Sequence, residues 1–159
     1  MFNFQLLITQ ISGPEIMFAL SLIIAGVLYL KNYRKDFYKV FFSSTIAMCA
    51  TLLTKYLFKM PRPVHMLIAE TGYGFPSGHA TMAAVAMSLG IYYSHKHVKN
   101  KTARYFLYAL SIGWYILVSY SRLYLQVHYL IDVIAGGVVG VLSTVVVLKI
   151  FKHFHYYNK

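Results

Sequence analysis

Long apolar stretches separated by short polar segments are the main pattern along the chain. Five of them approach the length of a membrane span, and they are Glu15 to Leu30, Val40 to Phe58, Ser77 to Ser94, Arg104 to Tyr120 and Val127 to Phe151. A helix rising about 1.5 Å per residue needs roughly 20 residues to cross the hydrocarbon layer, so the shorter stretches must extend into flanking Tyr, Lys or Arg residues. The pattern predicts an all-α integral membrane bundle of about five transmembrane helices.

A shorter apolar stretch, Phe2 to Ile11, precedes these spans and has too few residues to cross a bilayer. Ser12, Gly13 and Pro14 separate it from the first span, and Pro14 suits the first turn of a helix. We predict an interfacial helix within residues 1–13, a membrane-embedded domain over residues 14–152 and a cytoplasmic tail over residues 153–159. The N-terminus lacks the features of a cleaved secretory signal, so the first span is expected to be retained.

The composition agrees with a membrane protein, because 58% hydrophobic and 12% charged residues are too apolar for an ordinary soluble surface. The net charge of +11 is compatible with nucleic-acid binding, but the basic residues occur in short clusters between apolar stretches. They form no continuous basic face that could follow a phosphate backbone. We therefore expect the lipid bilayer as a partner and no nucleic acid. Cys49 is the only cysteine, which excludes an internal disulfide and a cysteine-rich metal site.

The distribution of Lys and Arg predicts the orientation, because cytoplasmic loops keep an excess of positive charge. If the N-terminus lies outside, eleven of the fifteen basic residues fall on the inner side. The remaining four are Lys55, Lys59, Arg62 and Arg122. These four residues need a separate reason to lie on the outer side.

Three blocks of polar residues at the predicted outer ends of the spans supply that reason. The blocks are Lys55-x6-Arg62-Pro63, Pro76-Ser77-Gly78-His79 and Ser121-Arg122-x5-His128-x3-Asp132. Three separated blocks in a fixed order and spacing are improbable as a chance match. Because all of them fall on one side, they are expected to form a single site.

The third block contains a candidate nucleophile, His128, and a carboxylate that can orient it, Asp132. His128 and Asp132 are four residues apart, so on a helix their side chains share one face. The carboxylate can then hold the imidazole in the tautomer that leaves the other nitrogen free to attack. An aspartate inside a membrane is costly unless it is paired, which is a further reason to expect His128 as its partner.

The second block opens a span, where the first backbone N–H groups of a helix lack partners and the helix dipole favours an anion. Ser77 and Gly78 are therefore expected to bind a phosphate, and His79 is placed to protonate a leaving group. The cations that would neutralise the phosphate oxygens are Lys55, Arg62 and Arg122. This arrangement stabilises charge without a metal or another cofactor.

These blocks resemble the signature of the type-2 phosphatidic acid phosphatase family, K-x6-RP, PSGH and SR-x5-H-x3-D, with every position present. The resemblance implies a lipid phosphatase in which His128 forms a phosphohistidine and His79 is the general acid. Family members act on undecaprenyl diphosphate, phosphatidylglycerophosphate, phosphatidic acid and the 1-phosphate of lipid A. It also implies a multi-pass protein of the bacterial inner membrane whose site faces the periplasm or exterior. Membrane members usually have six spans, so oligomeric state and substrate entry stay open.

Two other functions are compatible with parts of this pattern. A lipid phosphotransferase would use the same phosphohistidine but deliver the phosphate to a second lipid. A non-enzymatic lipid-phosphate binder or transporter would need the basic residues but not the pair of His128 and Asp132. Vanadate-dependent haloperoxidases share the pocket pattern, but they are soluble, which the apolar spans disfavour.

Several remaining residues have simpler interpretations. Four histidines near the predicted inner ends are read as solvated basic termini rather than metal ligands, and they are His95, His97, His153 and His155. Gly136 and Gly140 form a small-xxx-small pair that indicates helix packing. The loop from Val64 to Phe75, which contains His65 and Glu70, either covers the headgroup and tunes substrate choice or merely connects two spans.

Overall fold

The computed structural model describes residues 1–157, with side chains for residues 1–153. Over this range the chain contains no strand and forms six helices, which are α1 (Phe2–Ile11), α2 (Pro14–Leu30), α3 (Arg34–Phe58), α4 (Gly78–His97), α5 (Lys101–Tyr124) and α6 (Leu130–Tyr157). The predicted all-α class is confirmed. The proposed tail over residues 153–159 stays a prediction, because α6 continues through Tyr157 and residues 158 and 159 lie outside the described range.

The predicted number of five spans is not confirmed. By length and composition, two of the described helices, α3 and α6, could cross a membrane. A third candidate exists if α1 and α2, which are bent by 45°, count together as one span. The other two helices are long enough, at 20 residues for α4 and 24 for α5, so they fall short in hydropathy rather than length.

The position of α4 explains its polar composition. It packs against α2, α3, α5 and α6, and its first eight residues, Gly78 to Val85, are all buried. A helix surrounded by protein has little contact with lipid, and it therefore need not be apolar on every face. Several of its polar residues, His79, Thr81 and Ser94, are buried against the protein, so the helix can be central without a high hydropathy.

The close contact between α4 and α6 depends on glycine. A Cβ atom added at Gly136 would lie 2.5 Å from the carbonyl oxygen of Ser77, and one added at Gly140 would overlap the backbone of Thr81. Both separations are below any normal van der Waals contact, so larger residues would push the helices apart. The structure thus supports the interpretation of this pair as a packing surface, and the contact sets the start of α4 against the first turns of α6.

The start of α6 differs from its predicted position. The predicted span begins at Val127, whereas α6 begins at Leu130, so His128 lies in the preceding turn and not on the helix. Asp132 explains the boundary, because its carboxylate accepts a hydrogen bond from the backbone N–H of Tyr129 at 2.9 Å. A side chain in the first turn that binds the N–H of the residue before the helix is a known capping arrangement.

The first helix contributes to the bundle more than its short length suggests. Residues Gln5, Ile8 and Thr9 are buried, and α1 packs against α5. Ile8 belongs to an apolar cluster with Ala83 and Val118. The location of α1 in the membrane interface stays a prediction, but one of its faces is part of the protein interior at the end where α5 finishes.

Candidate active site

The alternating directions of α3, α4, α5 and α6 bring the three sequence blocks to one end of the bundle. There, Nδ1 of His128 lies 3.2 Å from Oδ2 of Asp132, and both side chains are buried. The carboxylate can only accept, so Nδ1 carries the proton and donates it to Asp132. In the neutral ring, Nε2 is consequently left with a free lone pair. The predicted pairing exists, although His128 precedes the helix.

Arg62 lies beside the free nitrogen of His128. Its Nη1 is 3.3 Å from Nε2 of His128 and also donates to the carbonyl oxygen of Val127 at 3.1 Å. Its other nitrogens donate to the carbonyl oxygens of Gly72 and Thr71 at 3.2 and 3.1 Å. Since a guanidinium only donates, its contact agrees with Nε2 as an acceptor. Three backbone carbonyls fix this cation next to the predicted nucleophile.

Arg122 is completely buried within α5. Its Nη1 donates to Oγ1 of Thr9 at 2.8 Å, and its Nη2 is paired with the carboxylate of Glu70. Thr9 also lies 3.2 Å, oxygen to oxygen, from the hydroxyl of Ser121. The Nε of Arg122 has no hydrogen-bond partner in the described part of the chain. A buried donor without a partner is costly, so this N–H would gain from an acceptor brought within its reach.

Glu70 joins the two arginines of the site. One carboxylate oxygen is paired with Arg122, and the other lies 3.5 Å from Nη2 of Arg62. The sequence places Glu70 in the loop but predicts no contact for it. One signal was present, because Glu70 is one of only four acidic residues in the chain and lies between two basic blocks. Its negative charge occupies the position where two cations converge.

The second block is tied directly to the third. The backbone N–H of Ser77 donates to the carbonyl oxygen of Asp132 at 2.9 Å, and the Ser77 hydroxyl caps α4 by accepting from the N–H of Ala80 at 3.4 Å. His79 is the second residue of α4. Its side chain is buried and lies within electrostatic range of Arg122 and His128. The start of α4 is therefore fixed against the residues that orient the predicted nucleophile.

Close packing on the other side of α4 favours a glycine at position 78. A Cβ atom there would lie 3.3 Å from the Cβ of Pro14, at the start of α2. A small residue at this position therefore has a packing reason in addition to its predicted role at the phosphate site. Its role in phosphate binding through the backbone N–H stays a prediction.

Two cations of the first block, Lys55 and Arg62, hold the loop between α3 and α4 through hydrogen bonds to its backbone carbonyls. Lys55 donates from Nζ to the carbonyl oxygen of Tyr73 at 2.6 Å, next to the carbonyls that bind Arg62. A Cβ atom at Gly74 would lie 3.4 Å from Oδ2 of Asp132, so the loop backbone closely approaches the orienting carboxylate. Lys55 is also within electrostatic range of Arg62 and Asp132.

Burial lowers the pKa of His128 below its ordinary value of 6.5. The hydrogen bond to Asp132 opposes this shift, whereas the positive charges of Arg62, Arg122 and Lys55 reinforce it. The ring is consequently neutral near pH 7, which is the form that can attack phosphorus. Among the residues described, no group of three or more His, Cys, Asp or Glu side chains is placed to hold a metal ion.

Comparisons with known proteins agree with this arrangement. A family model described as the PAP2 superfamily matches residues 16–156. An undecaprenyl-diphosphatase of Sulfolobus acidocaldarius is 32% identical over 123 residues, which cover 73% of this chain and 55% of that protein. Phosphatidylglycerophosphatase B of Bacillus subtilis is 26% identical over 140 residues, covering 85% of this chain and 68% of that protein.

The similarity extends to three dimensions. The crystal structure of a transmembrane PAP2 type phosphatidylglycerolphosphate phosphatase from Bacillus subtilis superposes with a TM-score of 0.78 and 26% identity. The match covers 99% of this chain and 78% of that one. The chain spans about half the length of the Sulfolobus relative, at 55%.

Proposed function

The chain belongs to the PAP2 superfamily, as its motif blocks predict, and from this premise we propose that it hydrolyses the phosphate or diphosphate headgroup of a membrane lipid. The observation that carries the proposal is the position of His128, whose Nδ1 binds Asp132 while Nε2 lies beside Arg62. A nucleophilic nitrogen next to a fixed cation is suited to attack an anionic phosphate.

In the first step, Nε2 of His128 attacks the terminal phosphorus atom, and the bond from that phosphorus to its ester or bridging oxygen on the lipid breaks. His79 donates a proton to the departing oxygen as general acid. Asp132 stabilises the imidazolium character that develops on His128 through the hydrogen bond to Nδ1. The products of this step are the lipid with one phosphoryl group fewer and a phosphohistidine on His128.

In the second step, His79, now deprotonated, takes a proton from a water molecule that attacks the phosphohistidine. The bond between phosphorus and Nε2 breaks, and inorganic phosphate leaves. The cations proposed to stabilise the phosphate oxygens in both steps are Lys55, Arg62 and Arg122, with Ser77 and the backbone of Gly78 as additional donors. The scheme uses no metal ion.

Substrate binding in this scheme requires displacement of Glu70. The carboxylate pairs with the same arginines that a phosphate would bind, and two anions cannot share these donors at low cost. The incoming phosphate would take over the contacts of Glu70 and also reach the unpartnered Nε of Arg122. Glu70 is thereby assigned as an internal competitor that keeps both arginines charge-paired before substrate arrives.

We assign the substrate class as lipid phosphates of a bacterial inner membrane, at a site that faces the periplasm or exterior. The candidates are undecaprenyl diphosphate, phosphatidylglycerophosphate, phosphatidic acid and the 1-phosphate of lipid A. Support comes from the relatives, two of which are named for the first two of these substrates. The charge count along the sequence supports the orientation.

The test is release of phosphate from this panel by the purified protein in detergent, with and without EDTA. We expect activity on at least one lipid, unchanged by EDTA, and its loss in His128→Ala. The exposed His65 of the neighbouring loop offers a matched control, since His65→Ala should leave activity near wild type. Full phosphate release by His128→Ala would exclude the phosphohistidine scheme, and inhibition by EDTA that a divalent ion reverses would indicate a metal mechanism.

The same assay separates the two other functions. Transfer of labelled phosphate to a second lipid without free phosphate would identify a phosphotransferase. Stoichiometric lipid binding without any turnover would identify a binder or transporter. Acid-labile labelling of wild-type protein by a radioactive substrate, absent in His128→Ala, would support the covalent intermediate in either enzyme.

A further inference from the structure

A cavity of about 780 Å³ lies at the end of the bundle opposite His128, between the start of α3, the end of α4 and the last turns of α6. Lys149, in its lining, follows Asp132 by 17 residues on α6. That separation corresponds to roughly 25 Å along a helix axis. The proposed phosphatase reaction makes no use of this cavity, although its volume falls within the range of ligand-binding sites.

The lining of the cavity is strongly basic. Six cationic side chains contribute to it, and they are Arg34, Lys35, Lys39, Lys96, Lys149 and Lys152. Asp36 is the one acidic residue in the described lining, and it accepts hydrogen bonds from Lys39 at 3.1 Å and Lys96 at 2.9 Å. The lining therefore has a formal surplus of five positive charges, and two of the cations, Lys149 and Lys152, come from α6.

One wall of the cavity is apolar. Val145, Leu148 and Phe151 line it from α6. The ring of Phe151 stacks on those of Tyr38 and Phe42 in α3, with centroids 6.0 and 6.3 Å apart. The aromatic contact joins α3 to α6 along this wall. The cavity thus combines a cationic rim with an apolar surface that continues toward the middle of the bundle.

We propose that this cavity binds one anionic phospholipid from the leaflet at that end of the protein. Its phosphate would lie among Lys149, Lys152 and Arg34, and an acyl chain would lie along Val145 and Leu148. Basic pockets between membrane helices recognise anionic headgroups through the same combination of charges. A lipid fits better than a soluble anion, because a soluble anion would leave the apolar wall without a partner. The charge count places this end on the cytoplasmic side.

Native mass spectrometry of the purified full chain in neutral detergent tests the proposal. Dioleoyl phosphatidylglycerol and dioleoyl phosphatidylcholine are titrated separately. We expect one phosphatidylglycerol to bind with at least roughly tenfold preference over phosphatidylcholine. Lys149→Gln/Lys152→Gln should weaken phosphatidylglycerol binding by roughly tenfold or more. Lys149→Arg/Lys152→Arg should retain it, because charge is preserved.

The matched control is Lys99→Gln/Lys101→Gln, which removes two exposed lysines at the same end but outside the cavity. It should bind phosphatidylglycerol like the wild type. An equal loss in both double variants would overturn the proposal in favour of diffuse surface charge. Equal binding of both lipids would overturn it by removing headgroup recognition.

A competition arm distinguishes a lipid from a free phosphate. Inorganic phosphate in millimolar excess should leave the bound phosphatidylglycerol in place, and its release would indicate a site for soluble anions instead. The readout is bound mass rather than phosphate release, so the result is independent of the proposed phosphatase activity. The variants also distinguish lipid binding in the cavity from binding of a lipid product at His128, because the substituted lysines lie at the other end of the bundle.

Discussion

The two ends of the bundle hold their basic residues in opposite ways. At the site end, the guanidinium of Arg62 binds three backbone carbonyls, and Arg122 binds Thr9 and Glu70. At the opposite end, Lys39 and Lys96 share the carboxylate of Asp36, and Lys149 and Lys152 line an open cavity. The side chain of Arg122 is 0% exposed, whereas that of Lys96 is 38% exposed although it is ion-paired.

The difference relates the burial and hydrogen bonding of a cation to the task that it performs. A cation that must stabilise charge on a reacting phosphate has to be fixed before the reaction, because reorientation during the reaction would cost free energy. A cation that only attracts a headgroup can keep its rotamer freedom, and it avoids the entropy cost of ordering. Fixed arginines are therefore suited to chemistry, whereas exposed lysines are suited to headgroup attraction beside an apolar wall.

The largest expected effect comes from removing the charge that orients the nucleophile. Asp132→Asn should reduce kcat by roughly a thousandfold or more, because an amide cannot stabilise the imidazolium and can favour the wrong tautomer. The amide oxygen can still accept from the N–H of Tyr129, so the start of α6 should persist. Phosphate release and the helical circular dichroism signal measure the two effects, and a variant with wild-type kcat would contradict the proposed role.

A substitution that keeps charge but changes geometry sharpens the comparison. Arg122→Lys should lower kcat/KM by roughly a hundredfold, because a lysine lacks the separate nitrogens with which the guanidinium can bind Thr9 and a phosphate together. Lys149→Arg, at the other end, should leave kcat/KM unchanged. Steady-state kinetics of the two variants measure both changes in kcat/KM. Equal, small effects at both ends would show that geometry is no more important at the site than in the cavity.

The role of Glu70 predicts a gain rather than a loss in affinity for phosphate. Glu70→Gln removes the negative charge that competes for the two arginines. The inhibition constant of inorganic phosphate should fall by roughly tenfold. Glu70→Asp, which keeps the charge, is the matched control and should stay closer to the wild type. Weaker inhibition of Glu70→Gln by phosphate would mean that Glu70 instead positions the arginines for binding.

The smallest effect concerns the dependence on pH. Protonation of Nε2 would abolish the nucleophile, and burial lowers the pKa of His128 below 6.5, so the neutral form persists as the pH falls through that value. The acidic decline of kcat/KM should therefore lie below pH 6.5. A profile of kcat/KM against pH measures it. A decline centred above 6.5 and shifted by Asp132→Asn would contradict the direction given for His128.

The sequence predicts most of the site because its residues occur in local blocks. The spacing of His128 and Asp132 predicts their contact, and helix directions predict that the blocks meet at one end. The contacts of Thr9 and Glu70 were missed, because they join positions 113 and 52 residues away from Arg122 without a local pattern. The predicted number of five spans is not confirmed, because hydropathy does not identify α4 and α5 as spans and the central position of α4 depends on long-range packing.

The hydrogen bond between Thr9 and Arg122 has a consequence for biosynthesis. Thr9 is translated 113 residues before its partner, so α1 is made long before α5 exists. N-terminal segments are made first during synthesis at about 5–20 residues per second, so this wait lasts several seconds. The hydrogen bond between Arg122 and Thr9 can form only after most of the chain has been made. In a nascent chain the proposed site is therefore incomplete until α5 and the residues through Asp132 have been made.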